Sequence, residues 1–473
     1  MPRNLILCLD GTNNAIGDYQ TNVVRFFRGL LPRDDQIPYY AQGIGTVNSQ
    51  DLGEPEPETE RVRGMAFGQG LEDIVLETYR FLCRSYDFDT ADDGKKRDRI
   101  YIFGFSRGAY AARMLAGFLN EFGLLKPPNL HMAVHIFREY LALRHVGQEV
   151  DPDDKYLPLR RYAGVFRPVE VPVEGLILFD TVASMIRFPG WRHKVPLLRP
   201  TAAWQAIKAN GKAVRDNWRD TGSVIELANH PSTSKNPSVR FVLHALAVDE
   251  RRTFFRPLLW SERENAADFD DLGAAWSGPW NERDDTQLYF GNRFKSGKPE
   301  KQIVRQVWFP GVHGDVGGSA QEDVAQLGKI TACWIFDQLA ELAPDLKWSP
   351  VFHERYLKGE EGRESEDGRP ISSPDPRGPV HRSLTGVWRA AELIPKTVRR
   401  REPKEDRRGY YLPLGERRHI APGSLVHRAV FDKRRLDDTY DPPALKALTR
   451  EDFPPDDHPA LRNPSYPVPA EDG

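Results

Sequence analysis

Five polar residues in this chain stand where short apolar runs end. Asp10 follows Asn4–Leu9, Ser106 follows the run 100–103 through Gly104 and Phe105, and Asp180 follows the run 175–179. Asp249 follows the run 239–248, and His313 follows the run 303–309 through Gly311 and Val312. Between these runs, apolar residues recur at helical spacing, as in Val23, Val24, Phe26, Phe27, Leu30 and Leu31, or in Leu71, Ile74, Val75, Thr78, Tyr79 and Leu82. Alternating strand and helix predicts an α/β fold, mainly a parallel sheet with helices on both faces. Ligands of such sheets bind beyond the carboxyl ends of the strands. The pattern therefore gathers five chemically capable side chains along one edge.

Ser106 has the most demanding surroundings. It lies in Gly104-Phe105-Ser106-Arg107-Gly108, between the apolar run Ile100-Tyr101-Ile102-Phe103 and a helix opening with Ala109-Tyr110-Ala111-Ala112. A serine forced into a sharp strand-to-helix turn projects its hydroxyl above the sheet, and flanking glycines remove side chains that would clash there. The hydroxyl then sits at the positive end of a helix, where the Arg107 N–H can help hold an oxyanion.

A serine hydroxyl needs a base, usually histidine, and an acid to orient it. His313 is the candidate base. It follows the last strand of the alternation, in the glycine-rich stretch Gly311-Val312-His313-Gly314-Asp315-Val316-Gly317-Gly318. His244 falls within a strand and reads as core, while His381 and His427 lie in a less patterned tail. Two acids qualify, Asp180 and Asp249, because each ends a strand between the serine and the histidine. The later strand favours Asp249, although Arg251 and Arg252 stand beside it as alternative partners.

Asp10-Gly11-Thr12 at the end of the first strand suggests a haloacid-dehalogenase-type phosphotransferase. That chemistry needs an aspartate nucleophile two residues earlier, where this chain has Cys8. The loop is better suited to supplying an oxyanion-hole N–H from Gly11 or Thr12, with Asp10 as its brace.

Composition bounds the rest. The net charge of −2 gives no basic excess for nucleic acid. Three sparse cysteines among apolar neighbours argue against a disulfide framework or zinc cluster and for a reducing compartment of synthesis. No metal and no cofactor is expected. The start of the chain lacks a signal-peptide apolar region, and no run approaches the ~18 apolar residues of a membrane span. The expectation is a protein soluble and cytoplasmic as synthesised, with export by a route needing no cleaved signal left open. Residues 1–349 read as a catalytic domain, with a helical insertion at about 186–238 carrying Trp191, Trp204 and Trp218. Residues 350–473, rich in Pro, Arg, Glu and Asp, read as an irregular C-terminal extension.

Leu9-Asp10-Gly11-Thr12-Asn13, Gly104-Phe105-Ser106-Arg107-Gly108-Ala109-Tyr110, Phe179-Asp180-Thr181-Val182, Ala245 to Arg252, and Trp308 to Gly318 occur in that order. Together they resemble the family of α/β-hydrolase domains that includes the phospholipase effectors of type VI secretion systems, over roughly residues 3 to 345. The resemblance implies an α/β-hydrolase fold and a Ser-Asp-His triad, matched by motif to Ser106, Asp180 and His313. This moves the preference for the acid from Asp249 to Asp180. It also implies an ester or phospholipid substrate cleaved in the manner of a phospholipase A, with peripheral membrane contact. The basic run Lys396, Arg399, Arg400, Arg401, Lys404, Arg407 and Arg408 is available for such contact, but the interleaved Glu402, Glu405 and Asp406 make a solvated face the better reading. Alternatives are a soluble non-lipid carboxylesterase and an interaction protein that keeps the fold without turnover. Oligomeric state is not legible in the sequence.

Overall fold

The computed structural model describes residues 2–11, 20–43, 70–91, 96–143, 156–182, 186–187, 226–227, 233–260, 289–290, 300–359, 368, 370–393, 396–397, 410–446 and 448–466. Its centre is a seven-stranded sheet, parallel at every pairing. The strands are β1 (Asn4–Leu9), β2 (Gln36–Ala41), β3 (Arg99–Phe105), β4 (Val173–Phe179), β5 (Val239–Ala247), β6 (Ile303–Phe309) and β7 (Leu425–Val426). Their spatial order is β7-β6-β5-β4-β3-β1-β2. The chain starts inside the sheet, steps outward to β2, then crosses back over β1 to build the other side. The direction of winding therefore reverses between β1 and β3, the position at which parallel sheets open a crevice.

Period-two alternation sorts the strand residues onto two cores. Leu5, Leu7, Leu9, Ile100, Ile102, Leu176 and Leu178 face helices α2 (Leu71–Ser85), α3 (Arg107–Glu121) and α4 (Ala133–Ala142). Ile6, Cys8, Phe103, Phe105, Ile177, Phe179 and Phe309 face the opposite way, toward α1 (Asn22–Gly29) and the long helix 326–342. With both faces covered, the strands read as continuous apolar runs. Cys8, Cys83 and Cys333 are buried in these cores as free thiols. Among the described residues, no helix is long and apolar enough to cross a membrane.

The described residues after 349 hold little regular structure, yet they are built into the sheet. β7 pairs with β6 through Val307 and Trp308. A third apolar cluster joins Leu246, Val248 and Trp308 to Ile420, Val426, Val430, Leu445 and Phe453. The extension thus covers an edge that would otherwise present unpaired backbone groups. Of the expected helical insertion, the described parts include a two-residue antiparallel ladder, Ile186–Arg187 with Glu226–Leu227. Trp191, Trp204 and Trp218 lie outside the described residues, as do Arg399 to Arg408 of the basic run.

Candidate active site

Ser106 joins β3 to α3 with φ 57° and ψ −120°, left-handed backbone that costs a non-glycine residue about 1–3 kcal/mol. Surrounding contacts impose it. The Ser106 N–H donates to the Phe179 carbonyl at 3.0 Å, and the Ser106 carbonyl accepts from the Tyr110 N–H at 3.2 Å. Glycine is required at position 108, where a β-carbon would collide with the carbonyl oxygens of Leu9 and Asp10. The first turn of α3 is thereby pressed onto the end of β1.

His313 opens the short helix α5 (His313–Gly317), four residues beyond β6 and after Gly311, whose φ is 109°. Its Nε2 lies 2.8 Å from Ser106 Oγ, and its Nδ1 lies 2.6 Å from Asp180 Oδ2. A carboxylate facing Nδ1 fixes the proton there, which leaves Nε2 bare to accept from the serine hydroxyl. The rings of Phe105 and Phe255 flank the imidazole, with centroids 4.8 Å and 4.9 Å away. Burial holds the His313 pKa below its ordinary value, against the opposing pull of Asp180. The resting imidazole is therefore neutral at pH 7, as a base must be. The His313 N–H donates to Glu250 Oε2 at 3.2 Å, which anchors the start of α5.

Asp180 ends β4 with φ 42° and is fully buried. Burial alone would raise its pKa. The charge of Arg418 and the hydrogen bonds from His313 and Arg418 outweigh that and hold the carboxyl well below the usual range. Arg418 grips it with both arms, Nη1 to Oδ1 at 2.6 Å and Nη2 to Oδ2 at 2.8 Å. The Ala247 N–H adds a further bond to Oδ1 at 3.0 Å.

The alternative acid, Asp249, is not in this line. Its Oδ2 accepts from the Gly311 N–H at 2.7 Å and from the Tyr440 hydroxyl at 2.8 Å, so it braces the loop that delivers His313. Burial pushes its pKa up to about 6. The neighbouring arginines turn away from it, Arg251 to the Gly415 carbonyl and Arg252 to Glu250.

Asp10 is buried at the end of β1 and bonded to the Thr21 and Tyr40 hydroxyls, and burial lifts its pKa to about 6. It also accepts from the Gly11 N–H at 2.7 Å. The Gly11 N–H, one of the two expected oxyanion donors of this loop, is thus directed at its neighbour's carboxylate. Thr12 lies outside the described residues. Arg107 is the first residue of α3 and is buried, so its backbone N–H stands at the positive end of the helix directly after Ser106.

Of the other histidines, His244 is a core residue. Its Nε2 accepts from the Thr181 N–H at 3.2 Å, and burial drives its pKa to about 3. His427 caps a helix in the extension, and His381 pairs with Asp315. Sequence reasoning missed Arg418, Glu250 and Tyr440. The Glu250-Arg251-Arg252 cluster was the only available signal for any of the three. Among the described residues, no group of histidine, cysteine and acidic side chains is arranged to hold a metal ion.

An uncharacterized protein of Saccharomyces cerevisiae is 23% identical, the alignment covering 95% of this chain and 82% of that one. Among solved structures, an uncharacterized protein from Pseudomonas aeruginosa is 17% identical with a TM-score of 0.33, over 74% of this chain and 48% of that one. The Tle1 effector bound to the VgrG spike of the type 6 secretion system is 16% identical with a TM-score of 0.30, over 69% and 52%. The chain thus spans about half the length of each of these solved chains. The family model described as the catalytic domain of the Tle1-like phospholipase effectors of the type VI secretion system matches residues 3–338, from β1 into the long helix 326–342, and the chain belongs to that family.

Proposed function

We propose that the chain is a serine hydrolase that cleaves a carboxylic ester of a glycerophospholipid, in the manner of a phospholipase A. The observation that carries this reading is the hydrogen-bonded line from Ser106 Oγ through His313 to Asp180. The family supports a lipid substrate. In this mechanism His313 Nε2 takes the Ser106 proton as Oγ attacks the ester carbonyl, and the oxyanion forms beside the Arg107 N–H. Collapse releases the lysolipid alcohol, which receives the proton from His313 Nε2. Water then attacks the acyl-serine, again with His313 as base, and frees the fatty acid. Asp180 keeps the imidazole in the required tautomer and stabilises the imidazolium in each step. Substrate access from a membrane surface, and a cytoplasmic site of synthesis, belong to the same proposal.

The test is a mass-spectrometric comparison of phospholipid extracts incubated with wild type and with Ser106→Ala, together with labelling by a fluorophosphonate probe. Lysolipid and free fatty acid should accumulate only with wild type, and only wild type should be labelled. Equal labelling of the variant would move the nucleophile elsewhere. Labelling without any lipid product would favour a soluble ester as substrate.

A further inference from the structure

We infer that Arg418 is a positioning residue for the reaction: it sets the orientation and charge of Asp180, and so the basicity of His313, from a segment outside the matched catalytic domain. The inference rests on the proposed function. Arg418 is buried and lies beyond residue 338, in the stretch that also supplies β7. Its two terminal nitrogens meet the two oxygens of Asp180 in a bidentate fork. The same nitrogens bond the carbonyls of Ala247 at 2.8 Å and Phe255 at 2.6 Å. Four donors therefore fix the carboxylate: Arg418 twice, the Ala247 N–H and His313 Nδ1. A planar fork of this kind determines the plane of the carboxylate as well as its position. Oδ2 is thereby held toward Nδ1, and the imidazole is turned so that Nε2 faces Ser106.

The charge effect is separate from the geometric one. A carboxylate next to a histidine normally raises its pKa. Here a guanidinium saturates that carboxylate, which weakens its pull on the imidazole. The other charged groups around His313 are Glu250, which raises its pKa, and Arg252, which lowers it. Asp180 itself is also faced by neutral His244, behind which lies Arg113. With Arg418 present, His313 stays unprotonated and competent to lower pH than a bare Asp–His pair would allow.

Two substitutions in the full chain separate the effects. Arg418→Gln removes the charge, and Arg418→Lys keeps the charge but loses the fork. Each is assayed on p-nitrophenyl butyrate across pH, with thermal unfolding as the control for folding. Arg418→Gln should lower kcat by about 10–100-fold, as loss of an orienting partner does, with KM little changed. The acid limb of its kcat/KM profile should move to higher pH. Arg418→Lys should also lose kcat while keeping the acid limb near that of wild type. A folded Arg418→Gln whose kcat and acid limb match those of wild type would overturn the inference. If neither variant folds, the fork is a folding contact and the positioning role is withdrawn. Failure of wild type to react with the ester or with a fluorophosphonate would instead strike the proposed function itself.

Discussion

Asp180 and Asp249 end adjacent strands and look alike in sequence, so replacing each by asparagine is the sharpest test of the site. At position 180 an amide can present one oxygen and one NH₂ to surroundings that now supply donors to both oxygens. If the NH₂ faces His313, the imidazole must take the tautomer with its proton on Nε2, and the base at Ser106 is lost. If the NH₂ faces Arg418, two donors oppose each other. Either way the buried guanidinium loses its counter-charge, which costs about 3–5 kcal/mol of stability. Turnover should fall by about 10⁴-fold, equivalent to about 5.5 kcal/mol in the transition state. At position 249 an amide oxygen in the place of Oδ2 can still accept from both the Gly311 N–H and the Tyr440 hydroxyl. The carboxyl there is raised from 3.8 to about 6 by burial. Since the folded state holds that proton more tightly, this group's favourable contribution is present at low pH. It is lost as pH rises from about 4 to 6, leaving a penalty of about 3 kcal/mol at pH 7. Asp249→Asn removes the ionisation, so it should be as stable as wild type or more stable at pH 7, with a flatter dependence of Tm on pH between about 4 and 6. It should also keep most of its activity. The assays are ester turnover and thermal melts over pH 4–8. A folded Asp249→Asn that loses as much activity as Asp180→Asn would refute the assignment, as would an Asp180→Asn with a tenth of wild-type turnover.

Gly108→Ala should prevent α3 from seating on β1, because the obstructing atoms are backbone carbonyls that cannot move aside. A loss of about 2 kcal/mol or more in chemical denaturation is expected, with activity reduced in whatever folds. Tyr440→Phe removes one hydrogen bond to Asp249 and should cost about 1 kcal/mol in the same measurement. The loss should shrink at low pH, where the Asp249 carboxyl is protonated and needs fewer donors.

How much of this could be read from the sequence depended on the distance over which a feature leaves a pattern. The strand ends did so, because buried parallel strands are uninterrupted apolar runs and the residues closing them are polar. Ser106, His313 and Asp180 could each be singled out on that ground, and the structure brings the three together. The choice between Asp180 and Asp249 could not be made from strand ends. It turns on which carboxylate faces the imidazole and which faces the loop behind it. The Gly11 N–H bonds the adjacent carboxylate, a local bond that composition does not reveal. β7 is only two residues long, too short to show alternation. Arg418 sits among other arginines in a proline-rich stretch, and its partner is 238 residues away.

That separation sets a clock. A nascent chain carries the Ser106 turn, the Asp180 strand and the His313 loop well before the residue that clamps Asp180 has been made. At ~5–20 residues per second, the 238 residues from Asp180 to Arg418 take about 10–50 s to synthesise. Throughout that interval the carboxylate has no guanidinium, and once they are made β6 keeps an uncovered edge and Asp249 lacks Tyr440. The finished site is therefore a property of the completed chain. A ribosome stalled between residues 313 and 418 displays the Ser106, Asp180 and His313 segments together with a carboxylate that is not yet clamped.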